Sequence, residues 1–198
     1  MKEEPFESVL RFIHDVGRIK SVIRTGWREK VGIEKPESVA DHIYRTAVIS
    51  MIISDLEGFD TEKVLRMALL HDLAEAVTGD LTPTKKEMYT PSNFMELEEE
   101  AIRKILSNLP ENLSNRYLSI WREMRDSESE EAKLVRSVDK LEMAIQAEEY
   151  IGQGYAAERL DEFITSAEFE IQNSKALQLL KILKKRPKPI SSTQNDNS

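Results

Sequence analysis

The stretch His71-Asp72-Leu73-Ala74-Glu75-Ala76-Val77-Thr78-Gly79-Asp80 places one histidine and three carboxylates within ten residues. The segment before it, residues 64–70, is almost wholly apolar. Charged side chains are rarely buried without a partner or a metal ion. The sequence therefore predicts that a metal-dependent active site lies here, at the edge of a core.

The composition indicates one helical domain. The chain has 198 residues, of which 40% are hydrophobic and 32% are charged, as is usual for a single globular domain. It contains only seven glycines and seven prolines, which argues against a β-sandwich and for helices. We therefore predict an all-α fold.

Charge and cysteine content exclude several functions. A formal net charge of −8 argues against binding to a nucleic-acid polymer, which needs clustered Lys and Arg. The absence of cysteine rules out disulfides and thiol nucleophiles and leaves imidazole and oxygen as metal ligands. No apolar run reaches the length of a membrane span, and residues 1–11 do not resemble a signal peptide. We expect a cytoplasmic protein with no membrane partner.

Apolar residues recur at helical spacing along most of the chain. Helices are predicted at 6–19, from Ser38 to Gly58, from Asp60 or Thr61 through His71-Asp72, and at 94–106, 113–124, 127–152 and 157–185. Ser38 and Asp41 resemble a capping box. Gly26 and Gly32 bracket a predicted loop, and residues 78–93 form a longer one of the kind that is often functional.

Two of the three histidines are candidate metal ligands. His42 lies in the first turn of its helix, where the helix dipole keeps imidazole in the neutral form that binds metals. A partly exposed histidine at a helix start is the alternative. His71 and Asp72 are adjacent, and Glu75 would lie on the same side of a helix. The alternative there is a solvated charged patch, although the flanking leucines leave little polar face.

Asp139 interrupts or edges the apolar stripe of its helix, so it is either a further ligand or the partner of a nearby Lys or Arg. A second His-Asp pair, His14-Asp15, has an arginine nearby and no carboxylate-rich loop after it, which favours a place on a helix surface.

Taken together, these segments resemble the HD-domain phosphohydrolase superfamily, and more narrowly its 5′-deoxynucleotidase branch. The segments that carry the resemblance are Ser38-Val39-Ala40-Asp41-His42, His71-Asp72 with Glu75, Thr78-Gly79-Asp80-Leu81, and Ser137-Val138-Asp139. Arg24-Thr25-Gly26-Trp27, and Arg45 with Pro36-Glu37-Ser38, are most similar to the eukaryotic members. The resemblance implies a single-domain helical bundle over residues 1–185 with an HD core at about 36–142. The polar, Pro-containing residues 186–198 are predicted to form a disordered tail.

The resemblance also implies one divalent ion bound by His42, His71, Asp72 and Asp139. This ligand set suits Co²⁺, Mn²⁺, Mg²⁺, Fe²⁺ or Zn²⁺. Some relatives bind a second ion through Glu75, Asp80 and the backbone around Leu81.

Roles near the substrate follow from the same resemblance. Glu75 and Asp80 would lie near the reacting phosphate, with the choice of acid and base left open between them. Arg24 would bind the phosphate, and Trp27 would pack against the sugar and help to reject a 2′-hydroxyl. In the bacterial relative the Arg and Trp are adjacent, whereas two residues separate them here, so Arg28 is an alternative for either role.

Lys85 or Lys86, in the long loop, could add a phosphate contact, and a solvated loop lysine is the alternative for each. The leading functional hypothesis is a metal-dependent 5′-nucleotidase that converts deoxyribonucleoside 5′-monophosphates to deoxynucleoside and phosphate. The alternatives are an HD-domain phosphohydrolase for another nucleotide, such as a triphosphate or cyclic dinucleotide, and a non-catalytic metal-binding helical module. A homodimer is expected from the relatives and from the apolar residues of the helix at 127–152.

Overall fold

A computed structural model describes residues 5–82, 85 and 87–185, and these form a helical bundle. The helices are α1 (Pro5–Gly17), α2 (Val39–Glu57), α3 (Thr61–Leu70), α4 (Glu75–Thr78), α5 (Pro91–Leu106), α6 (Glu111–Asp126), α7 (Glu130–Gly152), α8 (Ala157–Glu170) and α9 (Ser174–Lys185). Across the described ranges, β-type pairing is limited to a single bridge between Ile23 and Ser38. The prediction of an all-α fold is confirmed.

The start and end signals of α2 operate as the sequence predicts. Ser38 Oγ accepts a hydrogen bond from the backbone N–H of Asp41, at 3.2 Å, and the Asp41 carboxylate accepts one from the N–H of Ser38, at 2.9 Å. This capping box fixes the first turn, which carries His42. Gly58 ends the helix in the left-handed region, at φ 74°, where glycine has no side chain to clash.

The pair His71-Asp72 does not lie on α3, contrary to the prediction. That helix ends at Leu70, and residues 71–74 form a tighter turn that leads into α4. The backbone N–H of Leu73 donates to the Leu70 carbonyl at 3.1 Å, and that of Glu75 donates to the Asp72 carbonyl at 3.0 Å. Such three-residue spacing is typical of a helix end. The turn therefore sets the directions of the two side chains.

The predicted helix at 157–185 is in fact two helices, α8 and α9. The chain leaves α8 at Ile171, where the backbone becomes extended. Ser137 Oγ then accepts the backbone N–H groups of Gln172 and Asn173, at 3.1 and 3.0 Å. Asn173 in turn accepts the N–H of Lys175 at 3.0 Å and so starts α9. The predicted loop between Gly26 and Gly32 also differs, because residues 27–31 form a wide helical turn.

Helix α7 runs through the centre of the bundle and contacts α2, α3, α6, α8 and α9. Its apolar residues Leu134, Val135, Val138 and Leu141 are completely buried. Full burial of one such side chain contributes about 1.5–3 kcal/mol. These residues therefore form the core of the monomer, which is one of the two interpretations that the apolar stripe of this helix allows.

The position of α7 determines where the polar residues meet. Its Asp139 faces the start of α2 and the turn after α3, so three distant segments converge at one place. Among the described residues, no helix combines the length and hydropathy that a bilayer crossing requires. The predicted tail, residues 186–198, lies outside the described residues.

Candidate metal centre and substrate cavity

Four side chains from three segments meet at the buried end of a cavity. His42 Nε2 lies 3.1 Å from Asp139 Oδ1, 3.3 Å from His71 Nε2 and 3.6 Å from Asp72 Oδ2. His71 Nε2 lies 3.3 Å from Asp72 Oδ2. The structure thus brings together all four residues that the sequence proposes as ligands.

The donor atoms fit a divalent ion. Ligands about 2.1 Å from an ion stand about 3.0 Å apart on adjacent corners of an octahedron and about 3.4 Å apart on a tetrahedron. The observed separations of 3.1–3.6 Å lie close to these values. Two imidazole nitrogens and two carboxylate oxygens suit Mn²⁺, Fe²⁺, Co²⁺ or Zn²⁺. His42, His71, Asp72 and Asp139 could therefore hold one such ion.

Each imidazole has a partner on its other nitrogen. His71 Nδ1 lies 2.7 Å from the carbonyl oxygen of Ala68, and His42 Nδ1 contacts Glu142. Because a carbonyl or carboxylate oxygen can only accept, Nδ1 carries a proton in both rings, which leaves Nε2 as the ring atom that a metal would bind. Glu142 itself accepts from Arg45 Nε at 2.8 Å. Both rings are thus held in the tautomer that binds a metal through Nε2.

The four residues form a strongly coupled electrostatic cluster. Burial and the charge of Arg24 lower the pKa of His42, but hydrogen bonds to Asp139 and Glu142 outweigh them and raise it to about 9. Burial favours the neutral form of Asp72, yet the charge and hydrogen bond of His71 hold its pKa well below the ordinary value. The carboxylates therefore stay ionised and favour positive charge at the centre of the cluster.

A cavity of about 330 Å³ opens directly onto this cluster. Its lining includes most of the site residues proposed from the sequence, namely Arg24, Trp27, Asp72, Glu75, Asp80, Leu81 and Asp139. Lys85 is not among the lining residues, because its ammonium group lies 2.6 Å from Glu29 Oε1 instead. A phosphate contact from Lys85 stays a prediction.

Arg24 is a cation that lines the cavity beside the ligand carboxylates. Its Nη1 lies 3.6 Å from Asp72 Oδ2, and although burial opposes its charge, Asp72 and Asp139 raise its pKa further. The backbone N–H of Arg24 donates to the Glu37 carbonyl at 3.0 Å, and the N–H of Thr25 donates to Asp80 Oδ2 at 2.5 Å. Asp80 thus ties the segment that carries Arg24 to the loop after α4.

Trp27 forms one wall of the cavity but is only 2% exposed. Its ring packs 4.4 Å from that of Phe163 and 5.3 Å from that of Tyr150. The indole N–H donates to Glu37 Oε1 at 3.0 Å. Trp27 is therefore a fixed part of the wall, held from behind by Glu37.

Sequence reasoning missed Glu142, gave Glu37 no contact of its own, and considered a nearby lysine only as the alternative ion-pair partner of Asp139. Glu142, fully buried, orients His42, and Lys140 Nζ lies 3.3 Å from Asp139 Oδ2. Glu37 holds both Arg24 and Trp27. A signal for Glu142 exists in the sequence, because it is a carboxylate one helical turn after Asp139 and directly beside the apolar Leu141.

A helical fold with two histidines and two aspartates from separate segments defines the class of HD proteins. The chain belongs to the HD domain family, whose model matches residues 16–178. The mouse protein named 5′-deoxynucleotidase HDDC2 is 38% identical over 176 residues, covering 87% of this chain and 84% of the mouse protein. The fission yeast (Schizosaccharomyces pombe) 5′-deoxynucleotidase hdd1 is 37% identical over 147 residues, covering 72% of each chain. A solved structure of a conserved hypothetical protein from Pyrococcus furiosus has a TM-score of 0.73 and 32% identity, covering 89% of this chain and 99% of that one.

Proposed function

We propose that the protein is a metal-dependent 5′-nucleotidase that hydrolyses deoxyribonucleoside 5′-monophosphates to deoxynucleoside and inorganic phosphate. The observation that carries the proposal is the meeting of His42, His71, Asp72 and Asp139 at the floor of a cavity that also holds Arg24. The relatives named 5′-deoxynucleotidases support the choice of substrate.

The four residues would hold one divalent ion, which when bound makes a water more acidic and offsets phosphate charge. Arg24 is the second source of positive charge in this wall. It would exchange its contact with Asp72, at 3.6 Å, for the substrate phosphate. The positive charge of the metal ion and of Arg24 together explains how a chain with a net charge of −8 can bind an anion. Which metal is native, and whether a second ion binds near Glu75 and Asp80, stay predictions.

Glu75 and Asp80 are the carboxylates available for proton transfer. Both line the cavity, and neither belongs to the proposed ligand set for the first ion. Glu75 begins α4 and is buried, which suits a group that orients or deprotonates the attacking water. Asp80 lies on the loop after that helix and would position water or protonate the departing 5′ oxygen. Which of the two carboxylates acts as the base and which as the acid stays a prediction to be tested.

The volume and charge of the cavity favour a nucleoside monophosphate as the substrate. A volume of about 330 Å³ stands at the lower end of the range for small-molecule sites. Among the described residues, the cations that line it are Arg24, Lys30 and Lys140, and Lys140 already contacts Asp139 and Glu170. A triphosphate would require more positive charge than this lining supplies. Trp27 and Phe163 form the apolar part of the wall, where the sugar and base would pack.

A homodimer is also proposed, through exposed apolar residues of α1 and α2. Phe6, Leu10 and Ile13 share one side of α1 and are 81, 52 and 55% exposed. Tyr44 and Leu56 of α2 are also more than two-thirds exposed. Contiguous exposed apolar patches often mark sites of protein–protein interaction. Cytoplasmic localisation stays a prediction.

The experiment compares dAMP, AMP and 3′-dAMP as substrates for the purified protein with Co²⁺ or Mn²⁺. Phosphate release from dAMP alone, or far faster than from the other two, is expected. Glu75→Gln should retain the metal, measured by elemental analysis, and lose most of the activity. Metal-loaded protein that releases phosphate from none of the three substrates would overturn the proposal.

A further inference from the structure

A second polar cavity, of about 380 Å³, lies behind the candidate metal centre. Three cations line it: Lys133, Arg136 and Lys140. The one carboxylate in its lining is Glu170. A surplus of positive charge in one cavity stands out in a chain whose formal net charge is −8.

The three cations differ in how well their charge is matched. They lie on one side of α7, at spacings of three and four residues. Lys133 Nζ is 2.7 Å from Glu130 Oε1, and Lys140 Nζ is 3.5 Å from Glu170 Oε2. Arg136 Nη1 donates to the carbonyl oxygen of Arg125 at 2.9 Å, which is a neutral acceptor. Within the described part of the chain, Arg136 is the cation of this cavity that has no carboxylate partner.

Hydroxyl groups add to the donor character of the lining. Ser137 is 1% exposed, and its Oγ accepts two backbone N–H groups, so its own proton is left to donate. Ser127 Oγ is buried and has no hydrogen-bond partner among the described residues. A buried hydroxyl group without a hydrogen-bond partner costs folding free energy unless a ligand or a water molecule forms a hydrogen bond with it. The lining thus offers cations and hydroxyl donors together, as an oxyanion requires.

Lys140 and Glu170 belong to both cavities. Each lines the front cavity, where the substrate would bind, and each also lines the basic cavity. Their ion pair, at 3.5 Å, is therefore the partition between the two. Lys140 also contacts Asp139, so the partition stands directly beside a proposed metal ligand.

We propose that the basic cavity is a second oxyanion site, which binds inorganic phosphate after it passes between Lys140 and Glu170. The passage of the product rests on the proposed function, whereas the binding of phosphate rests on the lining alone. Phosphate fits this lining better than a whole nucleotide, because Phe169 is its single apolar residue and stands 84% exposed at the edge. A nucleobase would require more apolar surface.

The test is a titration of the full-length, metal-free protein with inorganic phosphate, followed by calorimetry or ³¹P line width. Wild type should bind phosphate without metal. Arg136→Gln should weaken binding by roughly tenfold or more, as expected for loss of a charged hydrogen bond, and Arg136→Lys should recover part of it. Because Arg136 is exposed, neither change should affect folding. Arg116→Gln is the matched control, since it removes an arginine on α6 whose side chain is 55% exposed, outside this cavity.

Arg24→Gln separates the two cavities, because Arg24 lines only the front one. Phosphate binding to this variant should be retained, and dAMP should not displace the phosphate. The inference is overturned if Arg136→Gln binds phosphate like wild type, if Arg24→Gln abolishes binding, or if dAMP competes fully. None of these binding measurements requires hydrolysis, so they test the second site even if the protein has no nucleotidase activity.

Discussion

His42 and Glu142 form a completely buried pair in which the imidazole Nδ1–H faces a carboxylate. The pair connects the first turn of α2 to α7, one helical turn after Asp139. Arg45 holds the other carboxylate oxygen at 2.8 Å from its Nε. The ring of His42 therefore cannot rotate away without breaking a charged network, which keeps Nε2 directed at the candidate metal site.

Glu142→Gln should weaken metal binding. Loss of the negative charge on the partner makes the imidazole a poorer ligand, and such changes typically cost about 10–100-fold in affinity. Calorimetric titration with Co²⁺ measures the effect. Glu149→Gln is the matched control, because Glu149 also binds Arg45, at 2.8 Å, but lies at the surface. Equal affinities in wild type and Glu142→Gln would show that this pair does not tune the metal.

Arg24→Gln should separate substrate binding from metal binding. Removal of a charged hydrogen bond to the phosphate should lower kcat/KM by roughly 10–100-fold. The affinity for Co²⁺ should instead rise, by roughly two- to tenfold, because a cation 3.6 Å from Asp72 is lost.

Arg28→Gln serves as the comparison for Arg24. Arg28 is exposed and donates to the Glu34 carbonyl at 3.3 Å, away from the cavity. The Arg28→Gln variant should keep both kcat/KM and the affinity for Co²⁺ close to the wild-type values. A larger loss of kcat/KM from Arg28→Gln than from Arg24→Gln would show that Arg28, and not Arg24, contacts the phosphate.

Local signals in the sequence predicted a large part of this molecule. The capping box of Ser38 and Asp41 and the closing Gly58 are short-range features, and α2 begins and ends where they indicate. The convergence of His42, His71, Asp72 and Asp139 was implied by the resemblance of the motifs to the HD-domain superfamily. Their role as metal ligands stays a prediction.

Other features depend on contacts between distant residues, which no local pattern encodes. Lys85 pairs with Glu29, 56 residues away in the sequence, and is not among the residues that line the cavity. Ser137 on α7 accepts the backbone of residues 172–173 and thereby splits one predicted helix into two. The apolar stripe of α7 was correctly predicted, but periodicity alone left open whether it faces the core or a second copy, and only tertiary packing shows that Leu134, Val135, Val138 and Leu141 face the core.

Trp27→Phe should destabilise the protein more than Trp121→Phe. Both tryptophans are 2% exposed, so both substitutions leave a similar void. The indole N–H of Trp27 donates to Glu37 at 3.0 Å, whereas that of Trp121 has no acceptor among the described residues. The difference should be about 1 kcal/mol in the free energy of unfolding, the usual value of one hydrogen bond. Urea unfolding of the two variants measures it, and equal losses would contradict the assigned bond.

Glu99→Gln should reduce stability at neutral pH and have little effect in strong acid. Glu99 on α5 binds Arg125 on α6 at 3.0 Å and also contacts Arg122 and Arg103. These partners, Arg122 foremost, lower the pKa of Glu99 from 4.5 to about 2. Because the pKa of Glu99 is lower in the folded protein than in the unfolded chain, its ionised carboxylate stabilises the fold at pH values above 4.5. This contribution disappears as the pH falls toward 2.

Because this network is near the surface and screened by solvent, its contribution at pH 7 should be about 1 kcal/mol. Urea unfolding of wild type and Glu99→Gln should therefore differ at pH 7 and converge between pH 4.5 and 2. Glu96→Gln, on the same helix and exposed, should follow wild type throughout. A gap between wild type and Glu99→Gln that persists unchanged to pH 2 would mean that the carboxylate acts by packing and not by charge.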